Sequence, residues 1–103
     1  MKIPKQIKVG AQQIRVYQRD FIFDDKGDSV CGLSNLTKNR IDLALKKDKG
    51  QIMSETCVAD TFLHEVLHLV SGNYGIGLTE NQIAGLSGSL LAVIRDNDLD
   101  FKK

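Results

Sequence analysis

The stretch TFLHEVLHLVSG (residues 61–72) contains both histidines of the chain, His64 and His68, and decides how the second half folds. Apolar residues recur around it at the spacing of an α-helix. They are Val58, Phe62, Val66, Leu69 and Val70. This periodicity predicts a helix from about residue 53 to residue 70. Gly72-Asn73, directly after it, is a typical helix stop.

A second helix is predicted from Glu80 to about residue 96. The segment NYGIG (73–77) reads as a turn, and Thr79 is a suitable N-cap with Gln82 three residues later as its capping-box partner. An apolar stripe follows at Ile83, Leu86, Leu90 and Ile94. Several glycines and serines between these positions are weak helix formers. Their small size would allow this helix to approach the first one closely.

The first half of the chain carries the alternation of apolar and polar residues that is typical of half-buried strands. Four segments show it or suit it: IKV (7–9), IRVYQ (14–18), VCGL (30–33) and RIDLAL (40–45). Residues 10–12 suggest a hairpin turn between the first two. Strands followed by helices predict the α+β class, with a small antiparallel or mixed sheet packed on two C-terminal helices. The length of 103 residues predicts one domain, spanning 1–103.

Charge and hydropathy disfavour several classes of partner. The chain has 14 basic and 13 acidic residues, a net charge of +1, and basic residues scattered along its length. This balance provides no long-range attraction to nucleic acid or to an anionic membrane, so neither is expected as a partner. Nucleic-acid binding is further disfavoured by the low aromatic content of four Phe and two Tyr. No apolar run approaches the length that crosses a bilayer.

The cysteines and the N-terminus indicate a cytoplasmic protein. Cys31 and Cys57 are few for a small secreted domain and are interpreted as reduced thiols, although a single disulfide is compatible with the sequence. The opening segment MKIPKQIKVGAQQ lacks the apolar core of a signal peptide.

The spacing of the two histidines suggests a metal site. Residues four apart on a helix lie on the same face, so His64 and His68 can share one ion, and zinc favours imidazole nitrogens as ligands. Glu65 lies about 100° further round the helix, where its carboxylate can reach a water on the metal. This H-E-x-x-H arrangement provides a general base for hydrolysis. The alternative is a buried helix that contains two histidines by coincidence.

A catalytic zinc needs a third protein ligand and one open position. Glu80 is the best candidate, because an antiparallel second helix would bring its first turn level with His68. The alternative role for Glu80 is a carboxylate that favours the positive end of the helix dipole. Asp60, one turn before His64, is interpreted as a partner of a ligand or as a solvated residue.

The chain resembles the zincin metallopeptidases of the gluzincin type, and most of all the small zincin-like proteins of bacteriophages and prophages. The resemblance spans nearly the whole chain: a leading hairpin, the strand pair CGLSN…RIDLAL, the helix TFLHEVLH and the helix LTENQIAGLSGSLLAVIRDN. HEVLH (64–68) is the most specific of these motifs.

The resemblance implies roles for particular residues. His64, His68 and Glu80 would bind Zn²⁺, and Glu65 would be the general base of a zinc-dependent peptidase acting on a peptide or protein substrate. RIDLAL (40–45) would be the edge strand that pairs with an extended substrate. The tyrosines available to steady an oxyanion are Tyr17 and Tyr74.

The alternative is a catalytically idle zincin fold. In that case the chain would be a phage structural or regulatory binding protein, with a structural zinc or with no metal.

Overall fold

The computed structural model describes residues 2–47 and 49–100 and confirms the α+β class. Within these residues, six strands precede two helices. The strands are β1 (Gln6–Val9), β2 (Gln12–Arg19), β3 (Ile22–Phe23), β4 (Ser29–Val30), β5 (Gly32–Asn35) and β6 (Arg40–Ala44). The helices are α1 (Glu55–Asn73) and α2 (Glu80–Asp96). Among the described residues, no helix combines the length and the hydropathy needed to span a membrane.

The main sheet has four strands in the order β1-β2-β6-β5. The pairs β1–β2 and β5–β6 are antiparallel, whereas β2 and β6 run parallel. Strand β6 therefore lies inside the sheet, and the prediction that residues 40–45 form the edge strand is wrong. The edge beside α1 belongs to β5. Sequence alternation records which face of a strand is buried, but it holds no information about which strands lie on either side.

The predicted strand at residues 30–33 is divided between two sheets. Val30 belongs to β4 and pairs with Ile22 of β3, whereas Gly32 begins β5. Strand β3 has only two residues, which is too short to show a period, and the sequence did not predict it. Both cysteines are free thiols, as predicted.

The core lies between one face of the sheet and α1. The buried side chains of β2 and β6, including Ile14, Ile41 and Leu43, pack with Val58 and Leu69 of α1 in one hydrophobic cluster. Alternation along the strands turns the intervening residues to the opposite face of the sheet.

Helix α1 begins after Ser54, whose hydroxyl accepts a hydrogen bond from the Cys57 N–H. Helix α2 begins with the predicted capping box. The Thr79 hydroxyl accepts from the Gln82 N–H, and the Gln82 side chain accepts from the Thr79 N–H.

Helix α2 packs mainly on α1, so only a narrow stripe of it is covered. Ile83, Ser87 and Leu91 are buried, whereas three residues of the predicted apolar stripe remain more than one-third exposed. These are Leu86, Leu90 and Ile94. The sequence pattern marked an apolar face wider than the one that α1 covers.

Gly32 allows β5 to lie directly against α1. A Cβ atom built at this position would lie 2.7 Å from Thr61 Cγ2, 3.2 Å from the Asp42 carbonyl oxygen and 3.3 Å from Glu65 Cγ. Contacts this short require the backbone or the neighbours to move. The absence of a side chain at Gly32 therefore sets the distance between the edge strand and the helix that carries the histidines.

We expect Gly32→Ala to destabilise the fold by about 1–3 kcal/mol, because the added methyl group overpacks the contact between β5 and α1. The free energy of unfolding is measured by urea denaturation. Gly85→Ala is the matched control. Gly85 lies in the middle of α2, and a Cβ atom at this position would have no neighbour within 4 Å among the described residues. Because alanine is a better helix former than glycine, this change should leave stability unchanged or raise it by about 0.5–1 kcal/mol. Equal effects of the two substitutions would contradict the close approach at Gly32.

Candidate metal centre

Three side chains converge at the surface where α1 and α2 meet. His64 Nε2 lies 2.7 Å from Glu80 Oε1, and His68 Nε2 lies 2.8 Å from Glu80 Oε2. The two Nε2 atoms are 3.2 Å apart. The structure thus brings together the three residues that the sequence suggested as metal ligands. Their ligand atoms form a group that could hold a metal ion.

Local structure explains this convergence. Helix geometry stacks His64 and His68 one turn apart on the same face of α1. After α1 the chain reverses through Gly75 and Gly77, whose φ angles of 64° and 74° are in the region that glycine favours. The Ser71 hydroxyl accepts a hydrogen bond from the Leu78 N–H and fixes the end of this turn against α1.

The capping box then starts α2 with Glu80 in its first turn. The carboxylate therefore faces the two imidazoles, and it also benefits from the positive end of the helix dipole.

Protons alone do not satisfy the three contacts. Each of the three close pairs of atoms needs one hydrogen between its members, but each neutral imidazole provides at most one proton on Nε2. If both protons point to Glu80, the two Nε2–H groups face each other at 3.2 Å without an acceptor. A cation between the three side chains would accept lone pairs from all of them.

The spacing of the two imidazoles also suits zinc. Four ligands placed tetrahedrally at about 2.0–2.1 Å from an ion lie about 3.3 Å from one another. The distance between the two imidazole nitrogens, 3.2 Å, is close to this value, whereas the two contacts with Glu80, at 2.7 and 2.8 Å, would lengthen around an ion. The side chains are accessible, with 21% of His64, 33% of His68 and 66% of Glu80 exposed.

Glu65 lies beside this group but in a different environment. It is only 7% exposed, and its carboxylate accepts a hydrogen bond from the Ser34 hydroxyl on β5. Burial raises the pKa of Glu65, and the Ser34 hydrogen bond and the two imidazoles partly oppose this shift. The result is a carboxylate held in place at the junction of α1 and the edge strand.

Ser34 belongs to this site although nothing in the sequence pattern indicated it. Its register opposite Ile41, which is buried, places Ser34 on the face of the sheet that α1 covers. A polar residue on a buried face of a sheet indicates a specific polar contact. This indication can be recognised only when the strand pairing is known.

Asp60 is not part of the metal-binding group. Its Oδ1 atom is buried and forms no hydrogen bond with any of the residues that the structure describes, and it lies 4.0 Å from the position that a Cβ atom would take at Gly88 of α2. Asp60 therefore lies between the two helices, one turn of α1 before His64.

The two tyrosines considered for an oxyanion lie elsewhere. Tyr17 is on the outer face of the sheet, where the Arg40 guanidinium lies 4.2 Å from its ring centre. The Tyr74 hydroxyl is next to the β1–β2 turn, 3.4 Å from the position of a Cβ atom at Gly10. Neither tyrosine lies with the histidines.

Within residues 2–47 and 49–100, the group has three members, and neither Cys31 nor Cys57 belongs to it. A metal held by these three side chains would keep at least one position open to water or substrate. Open positions distinguish catalytic zinc sites from structural ones, which use four protein ligands.

No protein-family model, no curated protein and no solved structure matches this chain.

We expect the purified chain to bind about one zinc ion and to lose it in His64→Ala and in His68→Ala, because two ligands do not hold zinc tightly. Metal content is measured by atomic emission after dialysis. Glu65→Gln is the control and should retain the ion. Unchanged zinc in both histidine variants would rule out this site.

The role of Glu80 is tested by thermal stability. Zinc at about 100 times its Kd should stabilise the native chain by about 2.7 kcal/mol, raising Tm by roughly 10 °C or more in a domain of this size. Glu80→Gln should largely remove this zinc-induced shift, because a neutral amide replaces an anionic ligand. Glu55→Gln changes the corresponding first-turn carboxylate of α1 and should retain the shift. Equal shifts in the two variants would remove Glu80 from the site.

Proposed function

We propose that this chain is a zinc-dependent peptidase of the gluzincin type. His64, His68 and Glu80 would bind Zn²⁺, and Glu65 would act as the general base. The observation that carries the proposal is the convergence of two imidazole nitrogens on one carboxylate, in contacts that protons alone do not satisfy.

The chemistry divides between the metal and the chain. Zinc, when bound, lowers the pKa of a water molecule and polarises the substrate carbonyl. Glu65 would remove a proton from the attacking water and donate it to the departing amine. Its burial and its hydrogen bond from Ser34 support this role, because they fix the orientation of the carboxylate. A fixed base avoids reorganisation during the reaction.

The substrate would pair with the free edge of β5, and not with β6 as the sequence suggested. Among the described residues, no strand pairs with the outer edge of β5. The Ala44 N–H donates a hydrogen bond to the Cys31 carbonyl. Along an antiparallel strand, residues alternate between hydrogen bonding to the partner strand and facing away from it. The backbone N–H and C=O groups of Gly32 and Ser34 therefore face away from β6. An extended peptide could add there as a further strand beside Glu65.

The alternative function is a binding module in which zinc only fastens α2 to α1. The three-membered ligand group favours the peptidase, because a structural zinc requires a fourth protein ligand. We further propose that the protein acts in the cytoplasm, where its two free thiols would remain reduced. A bacterial cytoplasm, or that of a phage-infected host, would be consistent with the resemblance to phage zincin-like proteins.

The proposal is tested by separating catalysis from metal binding. Glu65→Gln retains the shape of the side chain but removes the proton acceptor. We expect zinc content to remain near one per chain and cleavage of a peptide library to fall by at least about 100-fold. Loss of zinc in this variant would instead identify Glu65 as a ligand. Undiminished cleavage would exclude it as the base.

Pairing of the substrate with β5 predicts a difference between two substitutions of one residue. Ser34→Ala removes the hydroxyl that holds Glu65, and Ser34→Pro removes that hydroxyl together with the outward N–H. Proline is tolerated on the open side of an edge strand, so the fold should persist. We expect kcat/KM for a cleaved library peptide to be lower in Ser34→Pro than in Ser34→Ala. Equal values would argue against a backbone hydrogen bond from this position.

A further inference from the structure

The face of the sheet opposite α1 gathers basic side chains that are scattered in the sequence. Lys8 of β1, Arg15 and Arg19 of β2, and Arg40 of β6 all project from it, because their neighbours along each strand face the core. We call this surface the outer sheet face. Asp42 is the acidic residue of these strands on the same face.

Three of these four cations are uncompensated. Arg40 is neutralised by Asp42, with Nη2–Oδ1 and Nε–Oδ2 distances of 2.6 and 2.9 Å. In the part of the chain that the structure describes, no carboxylate forms an ion pair with Lys8, Arg15 or Arg19.

The pairing of β2 with β6 brings two of these basic residues together. Arg15 lies opposite Arg40 in the parallel register. Because Asp42 neutralises Arg40, the unpaired charge at this position is that of Arg15.

Aromatic rings accompany these charges. A cleft of about 280 Å³ lies between the β3–β4 hairpin and the outer sheet face. Its lining includes Arg19, Phe21 and Phe23, together with the Arg40–Asp42 ion pair. Phe23 is 58% exposed, whereas its neighbour Ile22 is buried. On the sheet itself, the Tyr17 ring lies under the guanidinium groups of Arg40 and Arg19, at 4.2 and 5.9 Å.

We propose that the outer sheet face binds single-stranded nucleic acid. Guanidinium groups that track a phosphate backbone, next to exposed rings on which bases stack, are the features by which proteins bind single strands without sequence preference. A duplex keeps its bases stacked internally and would leave Phe21 and Phe23 unused. An acidic peptide would satisfy the cations but has no general need for the aromatic cleft.

This surface is independent of the proposed peptidase. The metal-binding group lies on α1 and α2, whereas the outer sheet face lies on the other side of the sheet. The net charge of +1 does not argue against binding, because the local arrangement of charges and not their sum determines attraction at short range.

The expected binding is weak and strongly dependent on salt. Neutralising about three phosphates on a single strand gives a slope near −2 for log K against log salt concentration. Each arginine removed from the contact should reduce the magnitude of this slope by about 0.7.

The experiment measures fluorescence anisotropy of a labelled oligothymidylate of about 20 nucleotides, titrated with the full chain at roughly 25–200 mM salt. Arg15→Gln and Arg19→Gln should each weaken binding and flatten the slope. Arg95→Gln is the matched control, because Arg95 is an exposed arginine on α2. It should behave as the unchanged chain does. No binding at low salt, or an equal loss in Arg95→Gln, would overturn the proposal.

The aromatic contribution distinguishes a single strand from other polyanions. Phe23→Ala should weaken oligothymidylate binding about 5-fold or more, without changing the salt slope. Competition with a duplex of equal length and with polyglutamate identifies the preferred partner. Tighter binding of the duplex, or equal binding of polyglutamate together with no effect of Phe23→Ala, would overturn the assignment to single-stranded nucleic acid.

Discussion

The contact of one carboxylate with two imidazoles joins the two helices of this protein. Glu80 lies 2.7 and 2.8 Å from nitrogen atoms of residues four apart on α1, and it occupies the first turn of α2. Glycines with positive φ reverse the chain, and a capping box starts the second helix at the required level. The direction of α2, its packing on α1 and the accessibility of the histidines all follow from this antiparallel return. In the proposed peptidase, zinc would take the place of the protons in these contacts, so that metal binding would also stabilise the pair of helices.

The second constraint is the distance between the sheet and α1. At Gly32 there is no room for a Cβ atom, so the edge strand lies close enough for the Ser34 hydroxyl to reach Glu65. Glu65 points from α1 to the sheet, whereas the histidines point to α2. One helix therefore carries the candidate base and the candidate ligands on adjacent sides of its circumference. Among the described residues, no strand pairs with the outer edge of β5, which lies next to Glu65. This separation of roles around the circumference of α1 is a direct consequence of helical geometry.

The two faces of the sheet differ in kind. One face packs on α1 and contains the apolar core, and the other is covered in part by the β3–β4 hairpin and carries the basic and aromatic side chains of the outer sheet face. A two-layer α+β architecture leaves one sheet face without a helix in this way. Arg15 and Arg40, 25 positions apart along the chain, become neighbours only because β2 and β6 pair in parallel. The outer sheet face and the metal-binding group thus use opposite surfaces of the domain.

The amino-acid sequence by itself determined the class of fold, both helices and the spacing of the histidines. Each of these depends on short-range periodicity or on local capping, as at Thr79 and Gln82, and such signals are complete within a few residues. It also suggested Glu80, because a short turn between two helices implies an antiparallel return. Only the tertiary structure decided that β5 and not β6 lies at the edge, that Ser34 contacts Glu65, and that Arg15 adjoins Arg40. These relations depend on strand order and register, and alternation along a strand defines its faces but does not specify its neighbours.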